Sequence, residues 1–145
     1  VLAQRTDPIF GPNFGDTYIL ATYVKWLESG GARVVPIRVK ESDEYYEKLF
    51  KSINGLVIPG GIVSIETSYY AKTARLLYNM AVKANNVKDY FPVWGTCRGF
   101  QQLTALTSGK NLVSTTPSYT TMSLNLTHST YTLIRTCLLP YCLTE

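Results

Sequence analysis

Apolar positions along the chain follow two alternating rhythms. Short apolar runs, several of them β-branched, read as strands: Val1-Leu2-Ala3, residues 33–39 (RVVPIRV), Leu56-Val57-Ile58 and residues 91–94. Residues 112–114 read as one more. Pro36 places its strand at an edge or a bulge, because proline cannot donate to a ladder. Between these runs the spacing is helical. Leu20, Tyr23, Val24 and Leu27 fall at i, i+3, i+4 and i+7, on one face of a helix that reaches Ser29. Asp16 or Thr17 offers a cap for it, and Gly30-Gly31 ends it. Ser42 caps a second helix with Asp43 and Glu44 in its first turn, where the helix dipole favours anions. Lys51 lies near its end and Asn54-Gly55 stops it. Ala74, Leu77, Tyr78 and Ala81 mark a third helix over residues 69–85. A fourth spans residues 99–108, with Gly109 as its stop. Residues 6–14 hold Pro8, Gly11, Pro12 and Asn13 and read as a loop.

Strand and helix therefore alternate four times, which is the pattern of a parallel α/β sheet with right-handed crossovers. In such sheets chemistry gathers at the carboxyl ends of the strands. Two segments lie there: Pro59-Gly60-Gly61, and Gly95-Thr96-Cys97-Arg98-Gly99. From Thr115 to Thr132 the chain is rich in Ser and Thr and the periodicity weakens. The expected organisation is one domain over residues 1–126 and a divergent tail over 127–145.

Composition narrows the class further. The 145 residues are 46% hydrophobic and 17% charged, which excludes a disordered chain. No apolar run approaches the ~18 residues of a membrane helix. The net charge of +4 is small and the Lys and Arg are scattered, so neither a nucleic acid nor a membrane is an expected partner. An anionic small substrate remains compatible. Three cysteines do not describe a disulfide framework. No metal or cofactor is expected.

The sharpest signal is G-x-C-x-G between an apolar strand and a helix. This is the cysteine form of a nucleophile elbow. A tight turn with strained dihedrals needs flanking glycines to avoid Cβ clashes with the adjoining strand and helix. A helix N-terminus favours an anion held there, and the N–H following the nucleophile points toward an oxyanion. The alternative is a buried structural cysteine between two turn glycines; the strand before and the helix after favour catalysis. Pro59-Gly60-Gly61 exposes further N–H groups at the end of a neighbouring strand. One of these, with the N–H after Cys97, makes a two-donor oxyanion hole.

These residues resemble the class I glutamine amidotransferase-like fold and, more narrowly, the γ-glutamyl hydrolase family. The similarity lies in YILATYVKWLESGGARVVP (18–36), LFKSINGLVIPGG (49–61), YYAK (69–72) and DYFPVWGTCRGF (89–100), and extends over residues 1–126. It implies a parallel-sheet three-layer sandwich, of which this chain carries the N-terminal part. It implies a cysteine hydrolase acting on folate poly-γ-glutamates without a cofactor, in a lysosome, a vacuole or the extracellular space, and it leaves a homodimer open. Carried over residue by residue, Cys97 is the nucleophile. Gly61 and Arg98 supply the oxyanion N–H groups, with Gly60 beside them in the same loop, and Tyr23 matches a family tyrosine near the site. Asn125, in the triplet Asn125-Leu126-Thr127, is a glycosylation candidate consistent with that route.

The departures are specific. The family draws its catalytic histidine from a later H-P-E-type segment, and these 145 residues contain none. The single histidine, His128, sits in the Ser/Thr stretch and reads as a surface residue. The expectation is a truncated chain, nearly inactive without its base. Arg98 stands where the family is usually apolar, which a backbone role tolerates. Gln101 is typical of glutamine amidotransferases, so a glutaminase domain is the alternative function, and a non-catalytic truncated isoform is another. Cys137 and Cys142 fall in the tail that does not resemble the family.

Overall fold

The computed structural model describes residues 1–7, 13 and 15–113. In chain order it contains β1 (Gln4–Arg5), β2 (Thr17–Tyr18), α1 (Ala21–Ser29), α2 (Asp43–Phe50), β3 (Leu56–Ile58), α3 (Tyr69–Asn86), β4 (Val93–Gly95) and α4 (Arg98–Ser108). β3 and β4 pair in parallel, with Leu56 opposite Val93, Val57 opposite Trp94 and Ile58 opposite Gly95. The first residues run beside β3, where the Leu2 N–H donates to the Val57 carbonyl at 3.0 Å. On their other side Leu2 bridges Ile37 in parallel. The backbone order across this layer is therefore residue 37, residues 1–3, β3, β4, an α/β arrangement of the expected kind.

Helix α3 shows why the layer is stable. Tyr70, Ala74, Leu77 and Ala81 recur at helical spacing and are buried, joining Leu2, Ile37, Leu56, Ile58 and Phe91 in one core. Phe50 of α2 stacks on Phe91 with ring centroids 4.2 Å apart. The buried Tyr46 hydroxyl is fully partnered: it donates to the Arg38 carbonyl and accepts from the Glu41 N–H and the Thr73 hydroxyl.

Helix α2 follows its sequence signals. The Ser42 hydroxyl accepts from the Tyr45 N–H at 3.3 Å, with Asp43 and Glu44 in the first turn. Ser42→Ala is expected to lower stability by about 1 kcal/mol, the worth of a side-chain cap. A denaturant midpoint that falls at constant m-value is the result that checks it.

Three expectations are corrected. Helix α1 starts at Ala21, with Leu20 as an N-cap that makes no side-chain bond, and neither Asp16 nor Thr17 caps it. Thr17 and Tyr18 instead pair antiparallel with Arg5 and Gln4, and Asp16 accepts from the Thr6 N–H through its carbonyl. A strand partner satisfies two or more backbone groups at once, whereas a cap satisfies one. Residues 33–39 contribute a single bridge at Ile37, whose N–H donates to the Val1 carbonyl and whose carbonyl accepts from the Ala3 N–H, while the Val35 carbonyl accepts from the Val1 amino terminus. Leu112 and Val113 are irregular, and Ser114 lies outside the described residues. So do Asn125, His128, Cys137, Cys142 and the expected boundary at 126/127. Among the described residues no helix is long and apolar enough to cross a membrane, and no cluster of side chains could hold a metal.

Candidate active site

β4 ends at Gly95, and three residues later, at Arg98, the chain is helical. Cys97 makes that turn possible with φ 54° and ψ −111°, a sparsely populated conformation that costs on the order of 1–3 kcal/mol. Its neighbours are held by close backbone contacts. A Cβ on Gly99 would lie 1.9 Å from the Ile58 carbonyl oxygen, and one on Gly95 would lie 2.5 Å from the Gly99 carbonyl oxygen. Only glycines let α4 settle so closely on β3 and β4. The Thr96 N–H donates to the Ile58 carbonyl, the Gly99 N–H to Thr96 and the Gln101 N–H to Cys97. Cys97 is a free, exposed thiol. Arg98 is the first residue of α4, so its N–H has no helical acceptor. Its guanidinium donates to the Gln101 side-chain oxygen at 2.7 Å, which ties Gln101 down within the first turn.

The loop after β3 comes up against this turn. A Cβ on Gly60 would lie 2.9 Å from the Cys97 Cβ and 2.9 Å from the Tyr23 hydroxyl oxygen. Cys97, Gly60 and Tyr23 therefore converge from β4–α4, β3 and α1. The Gly60 N–H donates to the Tyr23 hydroxyl at 2.8 Å, and the Tyr70 hydroxyl donates to the Pro59 carbonyl at 2.7 Å. Gln4, at the end of the first apolar run, donates its side-chain N–H to the Gly60 carbonyl at 2.5 Å. Burial pushes the Tyr70 phenol well above its ordinary pKa, helped by Tyr23 and Cys97 and opposed by Arg98. Tyr70 is thus a neutral donor throughout the physiological range.

Beside the thiol lies a cleft of about 310 Å³ lined by Thr22, Tyr23 and Trp26 of α1, Trp94 of β4, and Thr96. The indoles of Trp26 and Trp94 sit 5.8 Å apart, tilted by 49°, and the Trp94 N–H donates to the Thr96 hydroxyl. Both are half-exposed, at 49% and 56%. The cleft presents two aromatic faces, and two of its lining residues lead to the elbow: Thr96 precedes Cys97 in the chain, and the Tyr23 hydroxyl accepts from the Gly60 N–H.

Of the expected site residues, the structure brings Cys97, Gly60, Tyr23 and Arg98 together. Gly61 follows Gly60, but its α-carbon faces the Gln4 amide rather than the thiol. Gln4, Tyr70 and the tryptophan pair escaped the sequence reading. The only signal for Gln4 is a polar residue terminating a buried apolar run.

A cysteine on a strand-to-helix elbow of a parallel α/β sheet is the arrangement of glutamine amidotransferase-like cysteine proteins. Comparison of the sequence narrows this. A family model described as Peptidase C26 matches residues 10–132, and the chain belongs to that family. It is 51% identical over 128 residues to γ-glutamyl hydrolase of Homo sapiens, covering 88% of this chain and 40% of that protein. It is 55% identical over 102 residues to the Bos taurus γ-glutamyl hydrolase, covering 70% and 32%. To γ-glutamyl hydrolase B of Dictyostelium discoideum it is 42% identical over 107 residues, covering 73% and 31%. The chain thus spans 40% or less of the length of these relatives.

Proposed function

We propose that this chain carries the thiol half of a cysteine hydrolase that cleaves γ-glutamyl bonds of folate poly-γ-glutamates. The observation that carries the reading is the strained Cys97 at the N-terminus of α4 with Gly60 packed against its side chain. Cys97 Sγ attacks the γ-carbonyl carbon, and the carbonyl oxygen becomes an oxyanion. The open N–H of Arg98 and that of Gly61 are the donors for this charge. Such preorganised donors act where charge develops, so they stabilise the transition state more than the substrate. The C–N bond then breaks, the glutamyl amine departs with a proton, and the folate-bearing acyl group stays on sulfur as a thioester. Water completes the cycle by hydrolysing that thioester. An amine anion is too poor a leaving group to depart unprotonated, so a general acid is required. The described residues include no histidine; they account for attack and charge stabilisation, not for proton delivery.

Two observations support the substrate class. The relatives are named for the γ-glutamyl bond. The cleft beside the thiol offers indole faces, which suit a planar ring on the acyl side of that bond. The test is an acid quench of the complete protein during turnover of a γ-glutamyl folate, followed by peptide mass analysis. The expected product is a folate-bearing acyl adduct on Cys97, discharged by hydroxylamine. An adduct mapped to another side chain would remove Cys97 from the role.

A further inference from the structure

Two successive peptide units form the loop after β3, and they are held differently. The Pro59–Gly60 unit is held at both ends, its carbonyl by the Tyr70 hydroxyl and its N–H by the Tyr23 hydroxyl. The Gly60–Gly61 unit is held at one end: the Gln4 side-chain N–H donates to the Gly60 carbonyl. Its other end, the Gly61 N–H, has no acceptor among the described residues. No peptide among them is cis, and in a trans unit the carbonyl and the N–H point in opposite directions. The Gln4 bond therefore also fixes the direction of the Gly61 N–H and turns it away from Gln4. Since Tyr23 occupies the Gly60 N–H, the Gly61 N–H is the donor this loop has left to offer.

The environment of Gln4 fits a residue chosen for its donor. Its side chain is 2% exposed, and its Oε1 is buried without a partner. An unpaired buried acceptor is unfavourable, and an apolar side chain of the same length would avoid it. The amide also packs on the α-carbon of Gly61, where a Cβ would lie 1.7 Å from Oε1. The loop cannot rotate about this unit without displacing the amide.

We propose that Gln4 is a positioning residue: through the Gly60 carbonyl it aims the Gly61 N–H at the oxyanion formed when Cys97 attacks. The inference rests on the function proposed above. It is tested with Gln4→Met and Gln4→Asn in the complete protein. Methionine keeps the length without the donor; asparagine keeps the amide but is one methylene too short to reach the Gly60 carbonyl. Two rates are read for each. Hydrolysis of a γ-glutamyl folate passes through an oxyanion. Alkylation of Cys97 by iodoacetamide displaces iodide at carbon and builds none. Misdirecting one oxyanion donor is expected to lower kcat by about 10²-fold, with KM near the wild-type value and the Cys97 alkylation rate unchanged. An unchanged kcat overturns the proposal, as does a parallel fall in both rates, which would mark general disruption of the site. Should Gln4→Met fail to fold, Gln4→Asn decides by the same readouts. Cys97→Ala run alongside separates the two levels. Hydrolysis that survives it removes the thiol reading and this proposal together, whereas hydrolysis that needs Cys97 but ignores Gln4 removes the proposal alone.

Discussion

Cys97→Ala is expected to reduce hydrolysis of a γ-glutamyl folate by about 10⁴-fold or more, because the bond-forming atom is gone. The described residues offer no substitute nucleophile. Thr22, Thr96 and Tyr23 line the cleft, but they are hydroxyls without a neighbouring base, and Thr96 accepts from an indole N–H. The oxyanion donors and the cleft would survive the change, so substrate binding should be retained while turnover is lost. The fold should survive too. Alanine at position 97 meets the same positive φ as cysteine, so stability stays close to wild type; Cys97→Gly, free of the Cβ penalty, should be more stable and equally inactive. Steady-state kinetics with matched thermal melts read both effects. Residual turnover within about tenfold of wild type would mean that another group performs the attack.

The second large effect is on stability. Gly99→Ala is expected to destabilise the protein by about 3 kcal/mol or more, at the upper end of overpacking costs. Helix propensity alone argues the opposite sign, since alanine inside a helix is favoured over glycine by about 1 kcal/mol. Packing decides the contest. The new methyl would sit 1.9 Å from the Ile58 carbonyl oxygen and 2.7 Å from its carbon, both backbone atoms of β3. No rotamer relieves a backbone clash. Strand and helix must separate, and the Thr96 N–H bond to the same carbonyl is strained or lost. Out of a total stability of about 5–15 kcal/mol, this is a large share. Urea unfolding at constant m-value measures it; a midpoint equal to or above that of wild type would show that the helix can move away at little cost.

The same contact explains why the elbow was legible in the sequence. Gly95 is required by the Gly99 carbonyl four residues on, inside the motif itself, whereas Gly99 is required by Ile58 of the adjacent strand. The motif shows both because any strand-to-helix elbow packed on a neighbouring strand meets the same two clashes. The cap at Ser42 and the buried face of α3 are local: one turn, one period. What escaped the sequence depends on distant partners. Thr17 looks like a cap until Arg5 takes it as a strand neighbour. The segment over residues 33–39 looks like a strand, but only Ile37 finds a bridging partner. Gln4 and Tyr70 gain their roles from peptide groups 56 and 11 residues away. Periodicity reports which face is buried. It carries no information about which carbonyl a buried polar group will meet.

The tilted indole pair beside the cleft has an optical consequence. Trp26 and Trp94 are the only two tryptophans in the chain, and both line the same small volume next to Cys97. Excited beyond the absorption of the eleven tyrosines, the indole emission of the whole chain therefore originates at one address. A heteroaromatic ring entering between the two would quench or shift that emission, and the excitonic coupling of rings 5.8 Å apart would alter the near-ultraviolet circular dichroism with it. The site comes with its own spectroscopic reporter, and occupancy can be followed without labelling the thiol.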